Sequence, residues 1–467
     1  MQPRNDTLSA WAAAGFALVA ILSFHLGYSV KNCQVLLVVF LYCLFRLASV
    51  PTSRRAFYLG LGIGLAIYAP QLSYFWTIFQ SAAVPLWLIL AFWLALFPLL
   101  GQICWARFGL LGWAWAAPFC WTGLEYCRSE VTYLRFSWLI PGYAFSDSVS
   151  LHRLASYGVY GIGFLLMTIA VYLGVVRQLR WQGRTIGGAV LVSLLLYPAF
   201  ASERRGSSER ILRVTGVQLE FPAPAEAVLG LDRAIRKFPE TDLLVLSEYT
   251  FKGPIPDLVK KWCRKHQKYL VAGGEDPVSG SQYYNTAFVV SPEGEIVFRQ
   301  AKCVPIQFIK DGLPAPGQQV WNSPWGKLGL GICYDASYTA VMDELIRQGA
   351  QGLILPTMDV ADRGIREHAL HARIAPMRAA EYAVPVFRLC SSGISQFVGP
   401  SGRVLESAPF PGEGAIISAP MRLAYRGRLP PDRSLAPLSG VVTIVLGTWL
   451  AIDRYQQRSR RLETEAA

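Results

Sequence analysis

Apolar positions fill the first two hundred residues with few polar interruptions. Crossing a ~30 Å hydrocarbon core takes about 20 apolar residues in a helix. Runs of that kind fall near 9–27, 33–51, 56–77, 83–105, 108–126, 156–176 and 185–202, with one more near 435–452. From residue 211 the pattern changes to short β-branched runs alternating with amphipathic stretches. Leu212–Gln218, Leu243–Ser247, Tyr269–Gly273, Tyr284–Ser291, Lys327–Tyr334 and Gly352–Leu355 read as strands. Residues 224–237, 257–268, 338–348 and 364–382 read as helices. A hairpin continues over 294–304, and another over 385–405 turns at Gly399-Pro400-Ser401-Gly402. Mixed hairpins flanked by helices predict a layered αββα sandwich rather than a doubly wound sheet.

The expected layout is therefore a polytopic α-helical membrane domain of seven spans over 1–202, then an α/β domain over 203–434, then a final span and basic tail over 435–467. The polar stretch Ser202–Glu209 is the expected hinge. A further span follows the first apolar run at once, which argues against a cleaved signal peptide.

Charge orients this layout. The chain is 53% hydrophobic and 16% charged, with a net charge of +13. Arg54, Arg55, Arg107, Arg177, Arg180 and Arg184, and the tail residues Arg454, Arg458, Arg460 and Arg461, all fall on one side if the N-terminus is cytoplasmic. That asymmetry follows the positive-inside rule and sets the α/β domain outside, facing the periplasm of a cell with an inner membrane. Arginines at membrane boundaries point to anionic lipid, not nucleic acid. Nine cysteines are present, four of them in the α/β domain (Cys263, Cys303, Cys333, Cys390), with no compact disulfide framework among their spacings. With no CxxC pair and five histidines in all, no metal site and no cofactor are expected.

Three residues carry candidate chemistry. Cys333 ends the glycine-rich strand Leu328-Gly329-Leu330-Gly331-Ile332, where a thiol is either a nucleophile or a small buried hydrophobe. Glu248 closes the apolar run Leu243–Ser247; it is placed to take a thiol proton or merely to cap a turn. Lys302, in Phe298-Arg299-Gln300-Ala301-Lys302-Cys303-Val304-Pro305, can stabilise an oxyanion or lie solvated on a strand.

Glu, Lys and Cys in that order, closing on Cys333-Tyr334-Asp335, resemble the triad of the nitrilase (carbon–nitrogen hydrolase) superfamily. The spans before and after resemble its membrane branch, the apolipoprotein N-acyltransferase family. Motifs carrying the likeness include Trp121-Thr122-Gly123-Leu124-Glu125-Tyr126-Cys127-Arg128, Phe136-Ser137-Trp138, Tyr284-Asn285, Arg378-Ala379-Ala380-Glu381 and Gly399-Pro400-Ser401-Gly402. The resemblance implies an αββα fold and a ping-pong acyl transfer. Cys333 takes a fatty acyl chain from a phospholipid as a thioester and passes it to the N-terminal amine of a diacylglyceryl-cysteine lipoprotein. It implies Glu248 as base, Lys302 as the oxyanion cation, and Tyr334, Asp335 and Phe308 as substrate-binding residues, in a membrane-embedded monomer.

The sequence departs from that family at the chemistry. Aligned through Val304-Pro305, the family lysine falls on Gln300, two residues before Lys302, and the glutamate expected near the loop becomes Phe308, with Asp311 the nearest acid. Two alternatives stay open: a membrane-tethered amidase or acyltransferase with another acceptor, and a weakened homologue in which Lys302 points away from the site.

Overall fold

The computed structural model describes residues 7–148, 150–201 and 207–466; residues 202–206 of the expected hinge lie outside them, and 207–209 already belong to a strand. Two compact units form: Met1–Ser148 with Tyr157–Ala201 and Pro431–Ala467, and Val149–Ser156 with Ser202–Pro430.

The first unit is helical, with α1 Ala10–Ser29, α2 Leu36–Arg46, α3 Ser53–Gln71, α4 Ala83–Tyr126, α5 Val159–Val175 and α6 Trp181–Ala201, closed by a helix at Asp432–Ala466. The expected spans 83–105 and 108–126 run together as α4, broken at Gly109, whose φ of 76° and ψ of −177° only glycine adopts without strain. By length and apolar composition, three stretches among the described residues are long enough to cross a membrane: Ala10–Ser29, Tyr74–Val131 and Asp432–Ser459. Leu36–Ser49 and Val159–Val175 are apolar but shorter. Small residues let these helices approach. A Cβ on Gly64 of α3 would sit 2.6 Å from the Ala91 Cα of α4, the intimate contact that replaces a hydrophobic driving force between apolar helices. Asp432, at the start of the closing helix, accepts from the Tyr160 and Gly161 amides at 3.0 and 3.3 Å and so satisfies the open N-terminus of α5.

The second unit is the α/β domain. In chain order it runs β1 Ser207–Val217, α7 Pro224–Lys237, β2 Leu243–Val245, α8 Asp257–His266, β3 Tyr269–Ser279, β4 Gln282–Val290, β5 Ile296–Ala301, β6 Val320–Ser323 and β7 Gly326–Leu330. It continues with α9 Thr339–Arg347, β8 Gly352–Thr357, α10 Gly364–His371, α11 Ile374–Tyr382, β9 Val386–Cys390, β10 Ser395–Val398, β11 Val404–Ala408 and β12 Ile416–Ala424. Two six-stranded sheets result, ordered β12-β1-β2-β3-β4-β5 and β11-β10-β9-β8-β7-β6. Strands β1-β2-β3 and β7-β8-β9 pair in parallel, with antiparallel strands on either side.

Alternation along the strands explains the layering. Leu244, Leu246, Leu270, Ala272, Phe288 and Val290 pack with Ala227, Leu231 and Ala234 of α7 and Val259, Trp262 and Cys263 of α8. The opposite face meets the other sheet: a Cβ on Gly216 of β1 would touch Leu389 and Phe387 of β9. Helix α9 covers the second sheet, with Met342 and Leu345 against Gly331 and Gly329. Strands β6 and β12 were not expected from the sequence, and the long helix expected over 364–382 is two helices, α10 and α11, joined at residues 372–373.

Gly64→Leu should lower the thermal midpoint of the detergent-solubilised protein, by the equivalent of about 1–3 kcal/mol of overpacking. Gly62→Leu, whose added Cβ meets nothing within 4 Å, should not, and unfolding followed by differential scanning fluorimetry compares the two.

Candidate active site

The site is assembled at strand ends. The chain leaves β7 through Gly331 and Ile332 and turns at Cys333, which adopts a φ of 50°, a left-handed conformation costly for a residue with a side chain. The turn Cys333–Ser337 is held from below by Arg378 of α11, whose guanidinium donates to the Ala336 and Ser337 carbonyls at 2.7 and 3.0 Å and pairs with Glu381 at 2.5 Å. Cys333 itself is 3% exposed.

Glu248 ends the β2 segment. The next strand presses close, since a Cβ on Gly273 would lie 2.5 Å from the Glu248 Cα. Its Oε1 accepts from the Lys302 ammonium at 2.9 Å and the Asn285 amide at 2.6 Å, and its Oε2 from the Met358 backbone N–H at 2.8 Å. The β4–β5 register, with Thr286 opposite Ala301, carries the chain so that the Lys302 N–H donates to the Asn285 carbonyl at 2.7 Å. Its Nζ then reaches both Glu248 and Asp311, the latter at 2.8 Å. Asp311 also accepts from the Ile306 amide at 2.7 Å, Asn285 at 2.9 Å and the Tyr249 hydroxyl at 3.0 Å.

These contacts decide the register left open by the sequence. Gln300 spends its amide on the Ala301 and Gly317 carbonyls and accepts from the Gln319 N–H, so it braces the 317–319 loop. Lys302 enters the cluster because β5 ends at Ala301 and strand alternation no longer governs the next residue. The condition for the weakened reading, Lys302 turned away, is not met. Asp311, noted in the sequence only for its proximity, is the second carboxylate on that lysine, while Phe308 is 65% exposed at a φ of 68°.

The electrostatics follow. Burial disfavours the Lys302 charge, but Glu248, Asp311 and Cys333 outweigh burial and hold its pKa well above the usual value. The Cys333 thiol is pushed well up, first by burial and then by Glu248, with Lys302 opposing. One cation against two carboxylates leaves the cluster with a net negative charge, so the resting sulfur is the thiol. Attack therefore requires a proton acceptor.

Tyr334 is buried, edge-on to Tyr338 with centroids 5.0 Å apart. Asp335, expected to bind substrate, joins two loops of the site. Its carboxylate is fully buried and accepts from the Cys303, Val304 and Ile332 backbone amides at 3.1, 2.8 and 3.2 Å, tying the Lys302 loop to the Cys333 turn. Burial lifts its pKa to about 6.

A second buried group escaped the sequence reading. Asp359, just after β8, pairs with His371 at 2.7 Å and Arg388 at 2.5 Å. One ligand atom each of Cys333, Asp359 and His371 lies within 4.8 Å of the others, a spacing a metal ion can span. Both Asp359 oxygens, however, already meet an imidazole and a guanidinium, whose charge opposes a cation. Two of the five histidines falling within four residues, His368 and His371, was the available signal.

Comparison with known proteins supplies the family. A model of the apolipoprotein N-acyltransferase N-terminal domain matches residues 11–172, and one of carbon–nitrogen hydrolases matches 222–430. The chain belongs to the apolipoprotein N-acyltransferase family. An apolipoprotein N-acyltransferase from Geobacter metallireducens is 24% identical over 79% of this chain and 82% of its own. One from Nitrosomonas europaea is 25% identical over 84% and 88%. An omega-amidase from Xenopus laevis is 27% identical over 38% of this chain and 71% of its own.

Because the Asp335 pKa of about 6 exceeds the 3.8 of the free acid, its ionised form opposes folding. The penalty is absent below the free-acid value, grows as pH rises through the window between the two, and is complete above it, at about 3 kcal/mol. Asp335→Asn should remove that slope, so the wild-type-minus-variant difference in thermal midpoint should change across the window between about pH 4 and pH 6 and be flat above it.

Proposed function

We propose that this protein is a membrane acyltransferase that moves a fatty acyl chain from a phospholipid, through a thioester on Cys333, to the N-terminal amine of a diacylglyceryl-cysteine lipoprotein. The observation that carries the reading is the buried Lys302 ammonium held between Glu248 and Asp311 next to a thiol on a strained turn, in a chain of this family.

In the first half-reaction Glu248 takes the Cys333 proton through its remaining Oε2 lone pair, and the sulfur attacks the ester carbonyl. Lys302 has three N–H donors, of which two are engaged by carboxylates. The third stabilises the oxyanion. The C–O bond breaks, the proton passes from Glu248 to the glycerol oxygen, and a lysophospholipid leaves. In the second half the amine attacks the thioester, the C–S bond breaks and the thiol is restored.

Seven early crossings and one late crossing place the catalytic domain outside the inner membrane of a bacterial cell, with the arginine-rich connections inside. Shorter apolar helices cross by local thinning of the bilayer and snorkelling of their flanking residues. The loop 304–309, with Phe308 and Ile309 exposed, meets the lipid surface and admits the donor. The protein acts as a monomer.

Intact-protein mass spectrometry after incubation with a defined phospholipid tests the reading. The expected result is a hydroxylamine-labile acyl adduct on the wild type, absent in Cys333→Ala and reduced at least about a hundredfold in rate in Lys302→Ala. No adduct on the wild type, with one appearing in Gln300→Lys, would sink it.

A further inference from the structure

Beside Cys333 lies a buried set of charged groups that the two half-reactions above leave without a task. The sulfur, an Asp359 oxygen and a His371 ring nitrogen lie within 4.8 Å of one another. His371 Nδ1 stands 2.7 Å from Asp359 and 3.9 Å from Glu367 Oε1. Glu367 in turn meets His368 Nδ1 at 3.1 Å and Arg363 Nη1 at 3.8 Å. His371 and Glu367 are 2% exposed in their side chains, whereas Arg363 is 13% exposed. The chain of contacts thus runs from the sulfur to a residue that reaches water.

Burying so many ionisable groups costs several kcal/mol each unless they are paired or serve the chemistry. Their protonation is uneven. Burial would raise Asp359, but His371 and Arg388 hold it well below the usual range. Burial and then the Asp359 charge push Glu367 well up. Burial depresses His371 to about 4, so its ring is neutral with the Nδ1 proton toward Asp359. Besides these, Cys390 and Arg388 face Asp359 from β9, and Glu248 and Lys302 face the sulfur from the first sheet. A neutral imidazole thus adjoins a protonated carboxyl, a proton acceptor followed by a proton donor.

The amine half-reaction has a use for such a pair. An α-amine has an ordinary pKa of about 7.7–8.0, so the acceptor reaches the site mostly as ammonium at neutral pH. Ammonium plus thioester gives amide, the Cys333 thiol and one proton in excess. Glu248 returns one proton to sulfur and, with three hydrogen bonds already accepted, holds no second.

We propose that His371, Asp359 and Glu367 form the exit for that excess proton. This rests on the acyl-transfer reading. The proton enters at one ring nitrogen of His371 and another leaves from the opposite nitrogen toward Asp359 and Glu367. Glu367 releases its own proton to water beside Arg363, and the imidazole returns to neutral.

The test begins from wild type, His371→Asn and Glu367→Gln loaded with the acyl chain from a defined phospholipid. Loss of the thioester is then timed by mass spectrometry with a diacylglyceryl-cysteinyl peptide, or with hydroxylamine, which is uncharged at pH 7. Both variants should transfer to the peptide about tenfold or more slower than wild type at pH 7. The deficit should close near pH 9, where the amine arrives neutral, and hydroxylamine should cleave variant and wild-type thioesters at rates within about threefold. A deficit equal at both pH values, or equally large with hydroxylamine, would mean a structural role and overturn the relay. If neither variant loads, the wild-type transfer rate in mixtures of light and heavy water decides: a bowed dependence supports several protons in flight, and a linear one overturns it. A wild type that never loads defeats the acyl-transfer reading itself, and the relay with it.

Discussion

A single buried ammonium organises the catalytic domain. Lys302 has no exposed side-chain surface, and an ion removed from water is tolerable only if its partners are close and themselves satisfied. Its partners are Glu248 after β2 and Asp311 on the loop beyond β5, and these carboxylates are satisfied in turn by Asn285 on β4 and, for Glu248, by the Met358 amide after β8. The last of these joins the two sheets across the site. Each contact constrains a different loop, so the loops that would otherwise be the most mobile parts of the sandwich are fixed by one charge. Asp335 extends the same logic, fastening the residues just after Lys302 to the turn that begins at Cys333.

That arrangement has an electrostatic consequence. An ammonium shared by two carboxylates positions hydrogen-bond donors without presenting a net positive field. Such a site does not maintain a thiolate, in contrast to cysteine enzymes that ionise the sulfur beside an imidazolium. It keeps the nucleophile protonated and inert until a substrate completes the geometry. On the other side of the sulfur the balance reverses. Arg363 and Arg388 stand against Asp359, while burial keeps Glu367 protonated. Cys333 sits between a region of negative charge and one of positive charge, and the reaction moves protons across that boundary.

The membrane unit follows a different rule. Its interior is built where small residues let helices touch, as at Gly64 on Ala91, and where the ends of helices find a charge, as Asp432 does at the start of α5. The α/β domain has a hydrophobic core formed by alternation on its strands. In the helical unit apolar side chains cover the surface as well as the centre, with Trp11, Leu18 and Trp115 all exposed.

The run of apolar helices early in the chain, the switch to alternating strands near residue 211, and the order of Glu248, Lys302 and Cys333 were legible along the chain, because hydrophobic periodicity and strand-end chemistry are local properties. The layered sheets followed from the same patterning. Strands β6 and β12 did not, since each is a short segment whose pairing depends on a distant partner. Nor did the way Lys302 reaches the site. Alignment through Val304-Pro305 set the family's lysine position at Gln300, and only the end of β5 at Ala301, with Lys302 bonded across to Asn285, brings the ammonium two residues later into the cluster. Asp311 is the second carboxylate on Lys302, from the loop beyond β5, and Asp359 and His371 meet Cys333, with Glu367 beyond His371, only because β8 and α10 fold beside the turn after β7. Which residues carry charge is written in the sequence. Which charges share a site is decided in three dimensions, because a buried ion is stable only where partners remote along the chain converge on it.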